Sequence, residues 1–153
     1  TPSNSSAASD VYKRQDIVGG PQLTPHEDKG FAKMSGYALS SIFGAGELVK
    51  RYAKKQIKLN ADERELTSAN LFCRKKVLEK IKFNPALFPG EDPDFIERAK
   101  KAGFKVAYSP KIIVYHRRRG TPKELIKQIF NYGKTRPKKE SIFKTLKKPF
   151  FLE

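Results

Sequence analysis

The sequence predicts an α/β fold, and three observations support this class. Short apolar runs bounded by glycine or proline alternate with stretches of helical periodicity between residues 16 and 136. Hydrophobic residues make up 38% of the 153 residues and aromatic residues 11%, which is enough for a core and argues against disorder. The one cysteine, Cys73, excludes a disulfide framework and any multi-cysteine zinc site.

The first part of the chain begins with a segment that we expect to lie outside the fold. Residues 1–15 are rich in Ser, Asn and Ala at their start and show no periodicity, and residues 10–15 resemble a translated sequencing adapter. We therefore expect the natural chain to be truncated at this point. Residues 16–21 are typical of the end of a buried strand that runs into a glycine turn. Residues 31–55 predict a helix, a glycine break at residues 44–46 and a second short amphipathic piece.

The second part of the chain supplies the alternation on which the fold class depends. An acidic segment, residues 87–95, connects its two central helices. Gly103 gives the second of these helices a C-terminal stop, and Pro110 separates the two strands that follow. The predicted elements are a small-residue strand or strand-turn over residues 65–73, helices over 74–81 and 93–102, strands over 105–108 and 112–115, and a helix over 123–132.

The acidic segment is unusual in a chain of formal net charge +16, because it holds three carboxylates within four positions. A Pro-Gly pair predicts a turn and a further proline suits the first turn of a helix, so Glu91 and Asp92 are expected at or just before a helix N-terminus. Asp92 could then be a helix cap, with Asp94 paired to Arg98 one turn later. Alternatively, the segment holds a general base on a rigid turn at the mouth of a pocket.

The positive charge is concentrated at the C-terminal end. Residues 1–116 carry 20 Lys and Arg against 13 Asp and Glu, a net of +7, whereas residues 117–153 carry 12 against 3, a net of +9. Such a segment favours phosphate groups, an anionic membrane surface or nucleic acid as partners. No apolar run approaches the ~20 residues that a membrane span requires.

Several short motifs between residues 67 and 136 carry a resemblance to a known family. They are Ala69-Asn70-Leu71-Phe72-Cys73-Arg74, Phe83-Asn84-Pro85-Ala86-Leu87-Phe88-Pro89-Gly90-Glu91-Asp92, Arg98 with Ala102-Gly103-Phe104, Tyr108-Ser109-Pro110, and Val114-Tyr115-His116 followed by arginines. In this order and spacing they resemble the acceptor half of family 2 glycosyltransferases of the GT-A fold. The resemblance implies a partial GT-A-type, Rossmann-like domain over residues 16–136 that lacks its N-terminal nucleotide-binding half. A basic tail over residues 137–153 would then lead to a membrane-associated segment.

The resemblance also implies a reaction and its residues. A sugar would move from a nucleotide-diphosphate donor to the hydroxyl group of a carbohydrate or lipid-linked acceptor, with inversion, in cell-surface polysaccharide or glycolipid synthesis. Asp92 would be the general base, and Glu91 and Asn70 would bind the acceptor. The implied location is the cytoplasm, at the inner face of the cell membrane.

A second set of residues is implied to serve the donor. His116 would join an upstream Asp-x-Asp motif in holding a divalent metal, Mg or Mn, on the diphosphate. Arg117, Arg118, Arg119 and Gln128 would bind the diphosphate itself. The residues alone leave other interpretations open, because a histidine at a strand end is often structural and an arginine run is often a solvated face.

The sequence departs from the family pattern in two places. Gln128 occupies the place of a Gln-x-x-Arg-Trp motif, but Arg-Trp is missing and the chain has no tryptophan, which favours transfer of one sugar or a few over polymer synthesis. The only Asp-x-Asp in the chain is Asp92-Pro93-Asp94, which belongs to the acidic segment. We therefore expect the chain to be inactive by itself.

Two non-catalytic alternatives follow from the charge. One is a nucleic-acid-binding module, suggested by Tyr and Phe beside Lys and Arg. It leaves the acidic segment unexplained, because carboxylates repel phosphate, and we expect no nucleic acid among the partners. The other is a scaffold that binds carbohydrate or a membrane surface without catalysis.

Overall fold

A computed structural model describes residues 13–139, which form a mixed α/β structure as the sequence predicts. Five strands are found in this part of the chain: β1 (Ile17–Gly19), β2 (Gln22–Leu23), β3 (Leu71–Cys73), β4 (Val106–Tyr108) and β5 (Val114–Tyr115). The α-helices of the same residues are α1 (Gly30–Leu39), α2 (Ile42–Ala45), α3 (Val49–Tyr52), α4 (Lys75–Lys80), α5 (Glu91–Lys101) and α6 (Pro122–Lys139). Short 3₁₀ turns lie at Gly46–Leu48, Ser68–Asn70 and Pro85–Leu87.

The strands form two small sheets. In the first, β1 lies in the centre, antiparallel to β3 and parallel to β4, with Ile17 opposite Cys73 on one side and Val106 on the other. In the second, β2 runs parallel to β5, with Gln22 opposite Val114. Parallel neighbours need a long crossover connection, and helices α1 to α5 lie in the chain between β1 and β4.

The core lies between the first sheet and helix α5. Phe95, Ile96 and Ala99 of α5 are fully buried, and their spacing places them on one face of the helix. The ring of Phe83 stacks on that of Phe95 with 4.3 Å between centroids. The other buried members of this cluster come from the strands, the loop before β3 and helix α4: Ile17, Ala61, Leu66, Val77, Val106 and Tyr108. The loop that leads into α5 is thus fixed to the core.

The predicted strand end at Gly19 is confirmed, but the predicted glycine turn is not found, because Gly20 and Pro21 form an irregular link between β1 and β2. Gly20 stands where backbone groups approach closely. A Cβ atom on Gly20 would lie 2.0 Å from the carbonyl oxygen of Ile112 and 2.3 Å from that of Ser109. Only a residue without a side chain fits between these carbonyl groups. The atoms that lie against Gly20 are therefore backbone atoms of the chain itself.

The predicted buried strand over residues 112–115 is wrong in length and burial. Only Val114 and Tyr115 form β5, and Tyr115 is exposed. Residues 109–112 form a turn instead, in which the backbone N–H of Ile112 donates to the carbonyl oxygen of Ser109 at 3.3 Å. Pro110 cannot donate a backbone hydrogen bond, which favours a turn over a continued strand.

Most of the other predicted elements are present with shifted bounds. The strand over residues 65–73 is shortened to β3 by a 3₁₀ turn, and the last helix continues to Lys139. The stop at Gly103, which has a φ of 85°, is confirmed. The predicted break at residues 44–46 is wrong in position, because α1 already ends at Leu39 and both Gly44 and Ala45 belong to α2. The expected leader over residues 1–15 and tail over 137–153 lie mostly outside the described residues. No helix within residues 13–139 is both long and apolar enough to cross a membrane.

Candidate active site

An open groove lies where the loop before α5 meets the turn before β3. Its volume is about 560 Å³, and it is lined by Ser68, Phe83, Pro85, Phe88, Glu91 and Asp92. One wall is apolar and comes from the loop, with Phe88 72% exposed and Phe83 39% exposed. The other wall carries the two carboxylates. A ligand with an apolar side and a hydroxyl-bearing side complements both walls.

Asp92 is the second residue of α5 and does not cap this helix, so its predicted capping role is wrong. The residue before the helix is Gly90, whose φ of 132° is a conformation that glycine adopts readily. Asp92 instead accepts a hydrogen bond on Oδ2 from the backbone N–H of Ser68 at 3.0 Å. This contact fixes the start of α5 to the turn before β3.

The second carboxylate oxygen of Asp92 has a different environment. Oδ1 is shielded from solvent and accepts no hydrogen bond from any described residue. Buried polar atoms are nearly always hydrogen-bonded, so one without a donor needs an explanation such as a ligand, a water or a catalytic role. Since Asp92 lines the groove, a hydroxyl group of a bound ligand is a suitable donor after a small rotation of the side chain.

The other two carboxylates of the acidic segment have separate roles. Glu91 lines the groove and accepts a hydrogen bond on Oε2 from the N–H of Gly90 at 2.9 Å. Asp94 pairs with Arg98, with 2.7 Å between Oδ2 and Nη2, which confirms the predicted pair. Arg98 also donates to the carbonyl oxygen of Lys82 at 2.6 Å. Asp94 therefore stabilises the helix and loop, and Glu91 and Asp92 are the carboxylates of the groove.

Asn70 is placed away from the groove lining. Its side chain is 2% exposed, and its amide nitrogen donates to the carbonyl oxygens of Pro21 at 3.1 Å and Ile112 at 2.9 Å. These bonds connect Pro21, which follows β1, to Ile112, which precedes β5. The structure thus gives Asn70 a role in packing and does not bring it to Glu91 and Asp92, as the expected acceptor-binding role would require.

His116 directly follows β5 and has an exposed side chain. Its backbone N–H donates to the carbonyl oxygen of Leu23 at 2.9 Å. Partial desolvation and the positive charges of Arg118 and Arg119 lower the pKa of the His116 imidazole. The neutral ring that results is the form that binds metals. Within residues 13–139, however, no three His, Cys, Asp or Glu side chains are grouped as metal ligands, so the described residues do not form a metal site.

The three arginines after His116 point to different surroundings. The half-buried Arg118 donates from Nε to Thr24 Oγ1 at 3.2 Å and from Nη2 to the carbonyl oxygen of Gln22, and its guanidinium lies 5.0 Å from the centroid of the Tyr52 ring. Burial lowers the pKa of Arg118. Arg117 and Arg119 are exposed, and Arg119 Nε lies 3.4 Å from Gln128 Oε1.

The structure therefore brings together part of the predicted donor set. Arg119 and Gln128 are in contact, whereas the side chain of Arg118 contacts the residues of β2 and α3 described above. Sequence reasoning missed Ser68, which contributes a backbone N–H and so leaves no signal in its residue type. It also did not assign Phe83 and Phe88 to the groove.

Comparisons with known proteins were made by sequence and by fold. No protein-family model, curated protein or solved structure matches this chain significantly. The geometry of the groove and the motifs of the sequence therefore carry the functional argument.

Proposed function

We propose that the chain is the acceptor-side part of an inverting family 2 glycosyltransferase of the GT-A fold, with Asp92 as general base. The observation that carries the proposal is the Asp92 carboxylate, which lines an open groove while Oδ1 lacks a hydrogen-bond donor among the described residues. The order and spacing of the motifs between residues 67 and 136 support the family assignment. We place the reaction at the inner face of the cell membrane, in polysaccharide or glycolipid synthesis.

The proposed chemistry starts from the weak nucleophilicity of an alcohol. An acceptor hydroxyl in the groove donates its proton to Asp92 as its oxygen forms a bond to the anomeric carbon of the donor. The bond from that carbon to the diphosphate breaks, its electron pair leaves with the nucleoside diphosphate, and the anomeric configuration inverts. A positioned general base of this kind contributes ~10²–10⁴-fold to the rate.

The groove fits a carbohydrate or lipid-linked acceptor. Phe83, Pro85 and Phe88 offer an apolar wall against which the C–H face of a sugar ring or a hydrocarbon chain can pack. Glu91 lies beside Asp92 and can accept a hydrogen bond from a second hydroxyl group. Binding through both walls fixes one hydroxyl against Asp92, which general-base catalysis requires.

On the donor side, the exposed Arg117 and Arg119, together with Gln128, are the candidates for binding the diphosphate. Arg118 acts by holding the end of β5 against β2. His116 remains a candidate metal ligand only in combination with an Asp-x-Asp motif from a donor-side half.

The test is a transfer assay on the complete open reading frame that contains this chain. A panel of nucleotide-diphosphate sugars would be incubated with sugar and lipid-linked acceptors, with Mg²⁺ or Mn²⁺ present, and products identified by mass and anomeric configuration. We expect one inverted product from the complete protein and none from residues 1–153 alone. The proposal would be rejected if the complete protein neither hydrolysed nor transferred any of the sugars.

A further inference from the structure

Helix α1 has an unusual distribution of side chains. Its inner face carries the small residues Ala32 and Gly36, which are buried, and a Cβ on Gly36 would lie 2.2 Å from Thr24 Oγ1. Its outer face carries Met34, 67% exposed, and Tyr37, 66% exposed. A surface helix normally buries its large apolar residues. Met34 and Tyr37 instead face solvent, and the close approach of Thr24 to Gly36 admits only a small residue on the inner face.

The first residues of α2, which follows α1 after a two-residue turn, extend this apolar surface. Ile42 is 67% exposed and Phe43 is 99% exposed. With Met34 and Tyr37 they form what we call the apolar ridge, residues 34, 37, 42 and 43. Large apolar side chains that are grouped and exposed mark interaction sites more often than those scattered singly.

The start of α2, which carries Ile42 and Phe43, is held by two hydrogen bonds of Ser41. Ser41 Oγ donates to the carbonyl oxygen of Ala38 at 2.9 Å and accepts from the N–H of Gly44 at 3.1 Å. A Cβ on Gly44 would lie 2.1 Å from the same Ala38 oxygen, so the backbone there is packed closely. Phe43 is thus exposed on a short helix whose start is held by these contacts.

The surroundings of the ridge carry a net positive charge. Residues 27–55 contain six Lys and Arg against three acidic residues, of which Asp28 is buried and Glu47 pairs with Arg64 at 3.1 Å. Lys29 and Lys33 are exposed beside the ridge, and Lys54 and Lys55 are exposed after α3. An apolar edge with cations beside it complements a surface that has negative headgroups over a hydrocarbon layer.

We propose that the apolar ridge docks on an anionic lipid bilayer, with Ile42 and Phe43 inserted at the headgroup boundary and Lys29 and Lys33 on the headgroups. A fully exposed aromatic side chain can enter a lipid layer, and the exposed lysines beside it complement anionic headgroups. Aliphatic Met34 and Ile42 also give no stacking surface for nucleic acid bases. This docking does not depend on transferase activity.

Tryptophan fluorescence tests the position of the ridge directly, because the chain has no tryptophan of its own. Phe43→Trp would be added to vesicles of phosphatidylcholine with phosphatidylglycerol, and Phe130→Trp, 61% exposed on α6, is the matched control. We expect a blue shift of the emission from position 43 and its quenching by lipids brominated on the acyl chain, with a smaller response at position 130. Emission from position 43 that vesicles do not change would overturn the proposal.

Co-sedimentation with the same vesicles tests the contribution of each group. The double variant Ile42→Ser/Phe43→Ser should lower the partition coefficient at least ~tenfold, because two apolar side chains leave the lipid. Ile126→Ser/Phe130→Ser removes the same pair of residue types from α6, where Ile126 is 66% exposed, and should change it much less. Lys29→Gln/Lys33→Gln should weaken binding mainly at low salt. Circular dichroism confirms the fold of each variant.

Other results would contradict this assignment of the surface. Deletion of residues 140–153 could abolish sedimentation while Ile42→Ser/Phe43→Ser leaves it unchanged, in which case the basic tail and not the ridge binds lipid. Ultracentrifugation could instead show a dimer that Ile42→Ser/Phe43→Ser dissociates, without any vesicle binding by the natural sequence. The ridge would then be a contact between two copies of the chain.

Discussion

Asn70 shows how one buried side chain holds distant segments together. Its amide bonds to the carbonyl oxygens of Pro21 and Ile112 bridge sequence separations of 49 and 42 residues. The motif that contains Asn70 indicates family resemblance, but a motif does not contain the positions of two carbonyl groups elsewhere in the chain. For this reason the sequence suggested a ligand contact where the structure has a packing contact.

Asn70→Ala should therefore act on stability. We expect a loss of about 2–4 kcal/mol in the free energy of unfolding, because two hydrogen bonds disappear and two buried carbonyl groups lose a donor. Urea unfolding measures this change. Asn84→Ala is the matched control, since Asn84 is exposed and only caps a 3₁₀ turn through the N–H of Ala86. Equal losses for the two variants would contradict the packing role.

His116 gives a prediction about pH. Because partial desolvation and the charges of Arg118 and Arg119 lower its pKa, the imidazole should be neutral at pH 7 and take up its proton only below its ordinary value of about 6.5. Arg119→Gln removes one of these charges and should raise the pKa. NMR titration of the ring signals measures both values. A midpoint above the ordinary value in the natural sequence would show that this environment is wrongly described.

At the scale of elements, periodic segments were predicted well and short strands poorly. The helix after the acidic segment follows from the spacing of Phe95, Ile96 and Ala99, which places them on one face and needs no knowledge of the sheet. The strand β5 has only two residues and one partner, β2. Its length depends on the turn at residues 109–112 and on where β2 ends, and neither is visible in the apolar run that suggested a longer strand.

Gly20, which directly follows β1, provides a test at the scale of elements. Gly20→Ala should lower the free energy of unfolding by about 2 kcal/mol or more, the loss expected for overpacking, because the new methyl group would meet two carbonyl oxygens. Gly133→Ala is the matched control, since nothing lies within 4 Å of a Cβ at that helical position. It should instead stabilise the protein by about 0.5–1 kcal/mol. Thermal unfolding of the two variants should therefore shift in opposite directions.

At the scale of the whole molecule, the groove depends on contacts that cross the fold. Ser68 precedes β3, Phe83 packs on the core, and Asp92 begins α5, so the groove exists only when these segments are assembled. The sequence placed the carboxylates at a helix start, which is a local property. The Asp94–Arg98 pair also follows from its local i, i+4 spacing. The contact of Asp92 with Ser68 joins residues 24 positions apart, so only packing brings Asp92 and the turn before β3 together.

The most direct measurement of the central claim is the turnover of Asp92→Asn beside Asp94→Asn in the complete protein. The two substitutions are the same and lie two positions apart, but only Asp92 lines the groove, whereas Asp94 pairs with Arg98. We predict that Asp92→Asn lowers kcat by ~10²–10⁴-fold with little change in the KM for the nucleotide sugar. Asp94→Asn should reduce stability and leave kcat near that of the natural sequence. An unchanged kcat for Asp92→Asn would contradict its role as general base.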